Sequence, residues 1–211
     1  MLHLTACLLG LFLILSAAPA LAGQDVLDLW DSAAAPAAPE ARPVALDPAS
    51  TVLLVLDIEE ATCNAERRPR CLDTVAPIAG LVGTFREKGA AVVYSLTRRG
   101  TPDTVLPPVK ARPGEPFVQS TVDKFLGTRL DEILKERKAQ TVVVVGTAAH
   151  GAVLHTATAA TQRGYAVVLP VDGLSAETPF IEKAAVWLLL EGPATRGKVA
   201  VTRCGMVGWK G

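Results

Sequence analysis

The chain has 211 residues, 50% of them apolar and 20% charged, which is enough for one domain with a sizeable core. Its 21 basic side chains balance 21 acidic ones, and no Lys/Arg-rich run stands out. That argues against nucleic acid or an anionic membrane surface as a partner.

Leu8 to Leu15 is almost wholly apolar, and Ala20-Leu21-Ala22 follows as a small-x-small site. The run is too short for a membrane span, so residues 1–22 read as a signal peptide cleaved after about Ala22. The expected location is periplasmic or secreted, with no stable membrane span after cleavage. A retained N-terminal anchor is the alternative. Residues 23–50 read as an Ala/Pro-rich leader, dense in Pro and Ala from Ala33 to Pro43. Residues 51–211 form the expected domain.

Within it, Thr51–Leu56 is a continuous apolar run ending at Asp57, which predicts a buried strand. Cys63 and Cys71 flank a polar loop, and an oxidising compartment favours pairing them into a local disulfide. Two free thiols, or a bond from Cys204 to one of them, are the alternatives. Arg67, Arg68 and Arg70 lie in that loop beside Glu66 and read as a solvated surface cluster. Apolar spacing predicts a helix over 72–88, then a strand over 90–96. A Pro/Gly-rich loop covers 97–116. A helix over 127–138, a strand over 141–145, a helix over 149–163 and a strand over 165–169 follow. A helix over 177–190 and a strand over 198–202 end the series. Alternation of near-continuous apolar strands with helices predicts a three-layer α/β/α domain on a mainly parallel, doubly wound sheet.

In such sheets ligands bind outside the carboxyl ends of the strands. Asp57 ends the first strand, where a partly desolvated carboxylate can serve as a base, or simply cap a loop. The turn Gly146-Thr147-Ala148-Ala149-His150-Gly151-Ala152-Val153 follows the third. Its small residues at a helix start allow backbone N–H groups to face an anion, with Thr147, Ala148, His150 and Gly151 as the binding set. Tight strand–helix packing asks for small residues as well. Asp172-Gly173 ends the fourth strand, either capping the next helix or lining the pocket. No Gly-x-Gly-x-x-Gly, phosphate-loop or Gly-x-Ser-x-Gly pattern follows any strand, so no cofactor is expected.

Several stretches together resemble the isochorismatase-like cysteine hydrolase superfamily over roughly 51–207. They are Leu53-Leu54-Val55-Leu56-Asp57, Phe125-Leu126-Gly127-Thr128-x-Leu130, Val144-Val145-Gly146-Thr147-Ala148, Arg163-Gly164-Tyr165 and Pro170-Val171-Asp172-Gly173. The resemblance implies hydrolysis of small amides or vinyl ethers by an Asp, a Lys and a Cys. The Asp orients and deprotonates the Cys, whose thiolate sits at a helix N-terminus and attacks the carbonyl. Carried onto this chain, the Asp is Asp57 and the Cys slot is Ala152, followed by Val153. The usual Lys spacing falls near Gln119. Lys124, adjacent to Phe125, either takes the role or leaves it without an equivalent. The metal-binding branch needs Asp-x-His after the second strand. This chain has Thr97-Arg98-Arg99-Gly100 there, so no catalytic metal is expected. Relatives self-associate, which implies a homo-oligomer.

Two readings follow. One is an exported small-molecule-binding pseudoenzyme without the thioester route. The other is an active hydrolase or lyase in which Asp57 works with Lys124 or His150 and no cysteine.

Overall fold

The computed structural model describes Gly23 and residues 25–211. The expected signal peptide, 1–22, lies outside the described residues. The chain divides after Ala38. The described part of the first unit is short. Asp25 Oδ1 accepts from the N–H groups of Leu27 and Asp28, closing a turn that runs to Ser32.

The second unit, Pro39–Gly211, holds β1 (Val44–Leu46), β2 (Thr51–Leu56), α1 (Pro69–Glu87), β3 (Ala91–Leu96) and β4 (Phe117–Gln119). It continues with α2 (Leu130–Glu136), β5 (Thr141–Thr147), α3 (Leu154–Gln162), β6 (Ala166–Pro170) and β7 (Leu174–Ser175). The last elements are α4 (Pro179–Glu191), β8 (Val199–Thr202) and β9 (Val207–Trp209). The main sheet is seven-stranded and parallel, in the order β4-β3-β2-β5-β6-β8, with β7 pairing β5. Sequence order reverses between β2 and β5, which lie side by side with Thr51 opposite Thr141. That is the topological switch point of the sheet.

The strands alternate faces, as the two-residue period requires. Val52, Leu54 and Leu56 of β2 pack with Leu130, Leu134, Ala157, Ala185 and Leu189 from α2, α3 and α4. Leu53 and Val55 pack on the opposite face with Ile78, Leu81, Val82 and Phe85 of α1. Both faces are covered, which is why the central strands carry no polar alternation. The three-layer expectation is met.

Several boundaries moved, each for a local reason. Helix α1 starts at Pro69 rather than Leu72, because proline fits the first helical position and needs no N–H partner there. Helix α2 is shorter than 127–138. Gly127 takes φ +68, and the Thr128 hydroxyl accepts from Leu130 N, which holds the preceding turn out of the helix. The expected loop 97–116 contains two short 3₁₀ turns, Pro102–Thr104 and Pro107–Val109. The strand β4 that follows it was not foreseen. Its three residues are too few to show a period. The leader expected through residue 50 is overtaken earlier: β1 pairs in parallel with β9, Val44 opposite Val207. Trp209 of β9 meets Phe85 edge-on at 4.7 Å between ring centroids, so the chain end and the former leader clamp the α1 face.

Candidate active site

The site forms where β2 and β5 end. Gly146 is required there. It sits at φ +131, and a Cβ on it would lie 2.1 Å from the Leu56 carbonyl oxygen. Only glycine lets β5 run so close to the end of β2. Asp57 leaves β2 in the left-handed region at φ 53, a conformation that Asp and Asn tolerate better than most residues.

The Asp57 carboxylate is buried and fully engaged. Ser95 Oγ donates to Oδ1 at 2.7 Å, and Lys124 Nζ lies 2.7 Å from Oδ2. Lys124 has no exposed surface. Its ammonium also donates to the carbonyls of Leu96 and Ser120 at 3.4 and 3.3 Å, so each of its three protons has an acceptor. The segment carrying it is held on α3: Lys124 N donates to Thr156 Oγ1, which donates to Val122 O. Burial pushes the Asp57 carboxyl above its ordinary value. The charge and hydrogen bond of Lys124, the Ser95 hydroxyl and the charge of Arg68 offset only part of that.

After β5 the chain makes one π-helical turn, Ala149–Val153, before α3 begins. Such turns recur at functional sites. The Thr147–Ala148 peptide bond is cis. Ala152 is buried in this turn. A cavity of about 310 Å³ opens between the turn and Asp57. Thr147, Ala148, His150, Gly151 and Ala152 all line it, together with Asp57, Arg68 and Arg98. The Thr147 hydroxyl itself donates to Ser175 O.

The structure thus brings Asp57, Thr147, Ala148, His150, Gly151 and Ala152 to one cavity, with Lys124 buried against Asp57 and off the cavity wall. Gln119, where the usual lysine spacing falls, donates instead to the carbonyls of Thr97 and Gly100. The cationic partner of Asp57 comes from Lys124. His150 Nδ1 is 3.9 Å from Glu177 Oε2, at the cavity edge. Asp172 faces elsewhere: its Oδ1 accepts from Cys204 N and fixes the last 3₁₀ turn. Cys204 is buried, its thiol pushed up by burial and by Asp172, and it is not among the cavity residues. Cys63 and Cys71 are joined by a disulfide. Among the described residues no His, Cys, Asp and Glu cluster is suited to hold a metal ion, and no helix is long and apolar enough to cross a membrane.

One reading from sequence is corrected. The Arg67, Arg68, Arg70 cluster is not uniformly solvated. Arg68 is buried, its Nε donating to Glu177 Oε1 at 2.7 Å and Nη1 to Thr62 O at 3.3 Å. Arg70 makes a two-pronged pair with Glu182 at 2.8 and 2.7 Å. Both partners are more than 100 positions away, so no local pattern could signal them. Ser95 was missed as well. Its only signal is a polar residue in an otherwise apolar strand, facing the end of its neighbour.

An isochorismatase domain model matches residues 51–196. No curated protein matches the sequence. Solved structures with similar folds include N-carbamoylsarcosine amidase from Thermoplasma acidophilum. It is 23% identical, with a TM-score of 0.64, covering 74% of this chain and 96% of that one. A cysteine hydrolase from Pseudomonas syringae pv. phaseolicola is 18% identical, with a TM-score of 0.68, covering 80% and 95%. The nicotinamidase of Staphylococcus aureus is 22% identical, with a TM-score of 0.63, covering 72% and 97%.

Proposed function

The chain belongs to the isochorismatase family, and from that premise we propose that it is an exported member that binds a small molecule without cysteine-based hydrolysis. The observation that carries this reading is Ala152 in the wall of a cavity where Asp57 and Lys124 are already paired. A methyl group forms no thioester, and among the described residues no cysteine lines the cavity to replace it. The pocket frame nevertheless persists, in a buried ion pair that is weak evidence for stability in its own right. Export is supported by the Cys63–Cys71 disulfide, which is compatible with an oxidising compartment.

A second reading keeps catalysis. It is favoured by the Asp57 carboxyl, which lines the cavity and whose burial pushes it up toward the range of a working base. Asp57 would then activate water, with His150 at the cavity edge polarising the substrate, since Lys124 is buried with all three protons engaged. Assay of the purified protein on nicotinamide, carbamoyl-amine and isochorismate-type substrates separates the two. The binding reading expects no turnover. Turnover that vanishes in Asp57→Ala would overturn it in favour of the second.

A further inference from the structure

The charged side chains that line the cavity do not cancel; the nearby Glu59 carboxylate is buried, accepting from the Thr97 N–H and the Thr97 and Thr104 hydroxyls. Asp57 is matched by Lys124 and Glu177 by Arg68, at 2.7 Å each. Burial pushes the Glu177 carboxyl up, yet its own N–H, Arg68 and His150 outweigh that and hold it below the usual range, so it stays ionised. Arg67 and Arg98 then remain on the cavity wall with no carboxylate partner among the described residues. Arg68, whose charge Glu177 matches, adds no net charge but a further donor. Its Nε and Nη1 are engaged, while its Nη2 has no acceptor among the described residues and is not sealed from solvent.

Arg67 and Arg68 are held in place. Asn64 Oδ1 accepts from the N–H groups of Glu66 and Arg67, Arg68 N donates to Asn64 O, and Asn64 Nδ2 donates to Glu60 O. Arg67 Nη1 donates to Ala61 O. The buried disulfide closes the loop at its base. The loop therefore presents two adjacent guanidiniums to the cavity with little ordering left to do on binding.

The geometry points to an anion subsite at the cavity mouth, built by Arg67, Arg68 and Arg98, that takes the carboxylate of a small organic acid. The inference rests on the small-molecule reading above and adds the charge of the ligand to it. Arg67 and Arg98 bind the carboxylate in forked hydrogen bonds and Arg68 Nη2 adds a single one, while the apolar part of the ligand lies toward Val122 and Ala152. A cavity of about 310 Å³ suits a compact acid rather than a polymer.

The test is NMR titration of the oxidised chain with matched pairs of small carboxylates and their primary amides: acetate and acetamide, benzoate and benzamide, phthalate and phthalamide. Shifts of the Thr147 and Gly151 amides locate binding, and ionic strength is held constant. The expected result is a carboxylate bound at this site about tenfold tighter than its amide. Arg67→Gln and Arg98→Gln, both exposed positions, should each weaken it roughly two- to fivefold. Amides bound as tightly as their acids would overturn the anion subsite and leave the small-molecule reading standing. A panel in which neither acids nor amides shift these amides would overturn both.

Discussion

Lys124→Met should destabilise the protein by about 3–5 kcal/mol, because it strands a buried carboxylate. Lys124 is fully buried and Asp57 is 6% exposed, so water replaces the lost partner only in part. Asp57→Asn is the matching single change. Asn tolerates the left-handed backbone at φ 53, so this variant removes the charge with little added strain. It strands the Lys124 ammonium instead, at a similar cost. The double variant holds neither charge, and its loss should be much smaller than the sum of the two singles. For a domain of this size, each kcal/mol moves Tm by about 2–4 °C, so the single variants should melt roughly 6–20 °C below the parent. Urea unfolding of the four proteins gives the coupling energy directly. Singles that each lose under about 1 kcal/mol, with an additive double, would refute a desolvated and coupled pair.

The raised Asp57 carboxyl sets the sign of a pH effect. Between its unfolded value near 3.8 and the higher folded value, the native state holds a proton that the unfolded chain has released. Its contribution to stability is therefore complete below 3.8 and falls as pH rises through the folded value. Comparing the urea midpoint of the parent with Asp57→Asn from pH 4 to 8 should show this slope in the parent only. Thiol titration of the unfolded, non-reduced chain starting at Gly23 should count one free cysteine, Cys204, and three would refute the disulfide. Cys63→Ala/Cys71→Ala should lose about 2–3 kcal/mol in chemical denaturation, from the loop-closure entropy of so short a ring. It should also weaken carboxylate binding, because the loop that orders Arg67 and Arg68 loses its base. Ala152→Cys should place an alkylatable thiol in the cavity wall, seen by mass spectrometry as an iodoacetamide adduct at 152, while buried Cys204 stays unmodified in the native protein.

The layered fold was legible because it depends on short-range pattern. Unbroken apolar runs such as Leu53–Leu56 and Val142–Val145 declare strands buried on both sides, and the helical spacing between them declares the covering layers. The proposal that Ala152 stands in the nucleophile slot also came from sequence alone, since it needs only the order of residues in a motif and no coordinates. Whether Lys124 meets Asp57 could not be read that way. The usual lysine spacing falls at Gln119, five positions before Lys124, and only the chain's path over α3 turns Lys124 toward the carboxylate. The arginine cluster was misread for the same reason. Three basic residues in a polar loop look solvated until Glu177 and Glu182 arrive from the far end of the chain. Periodicity and motif are local properties and survive in one dimension. Desolvation and ion pairing depend on who is adjacent in space, and only the tertiary structure decides that.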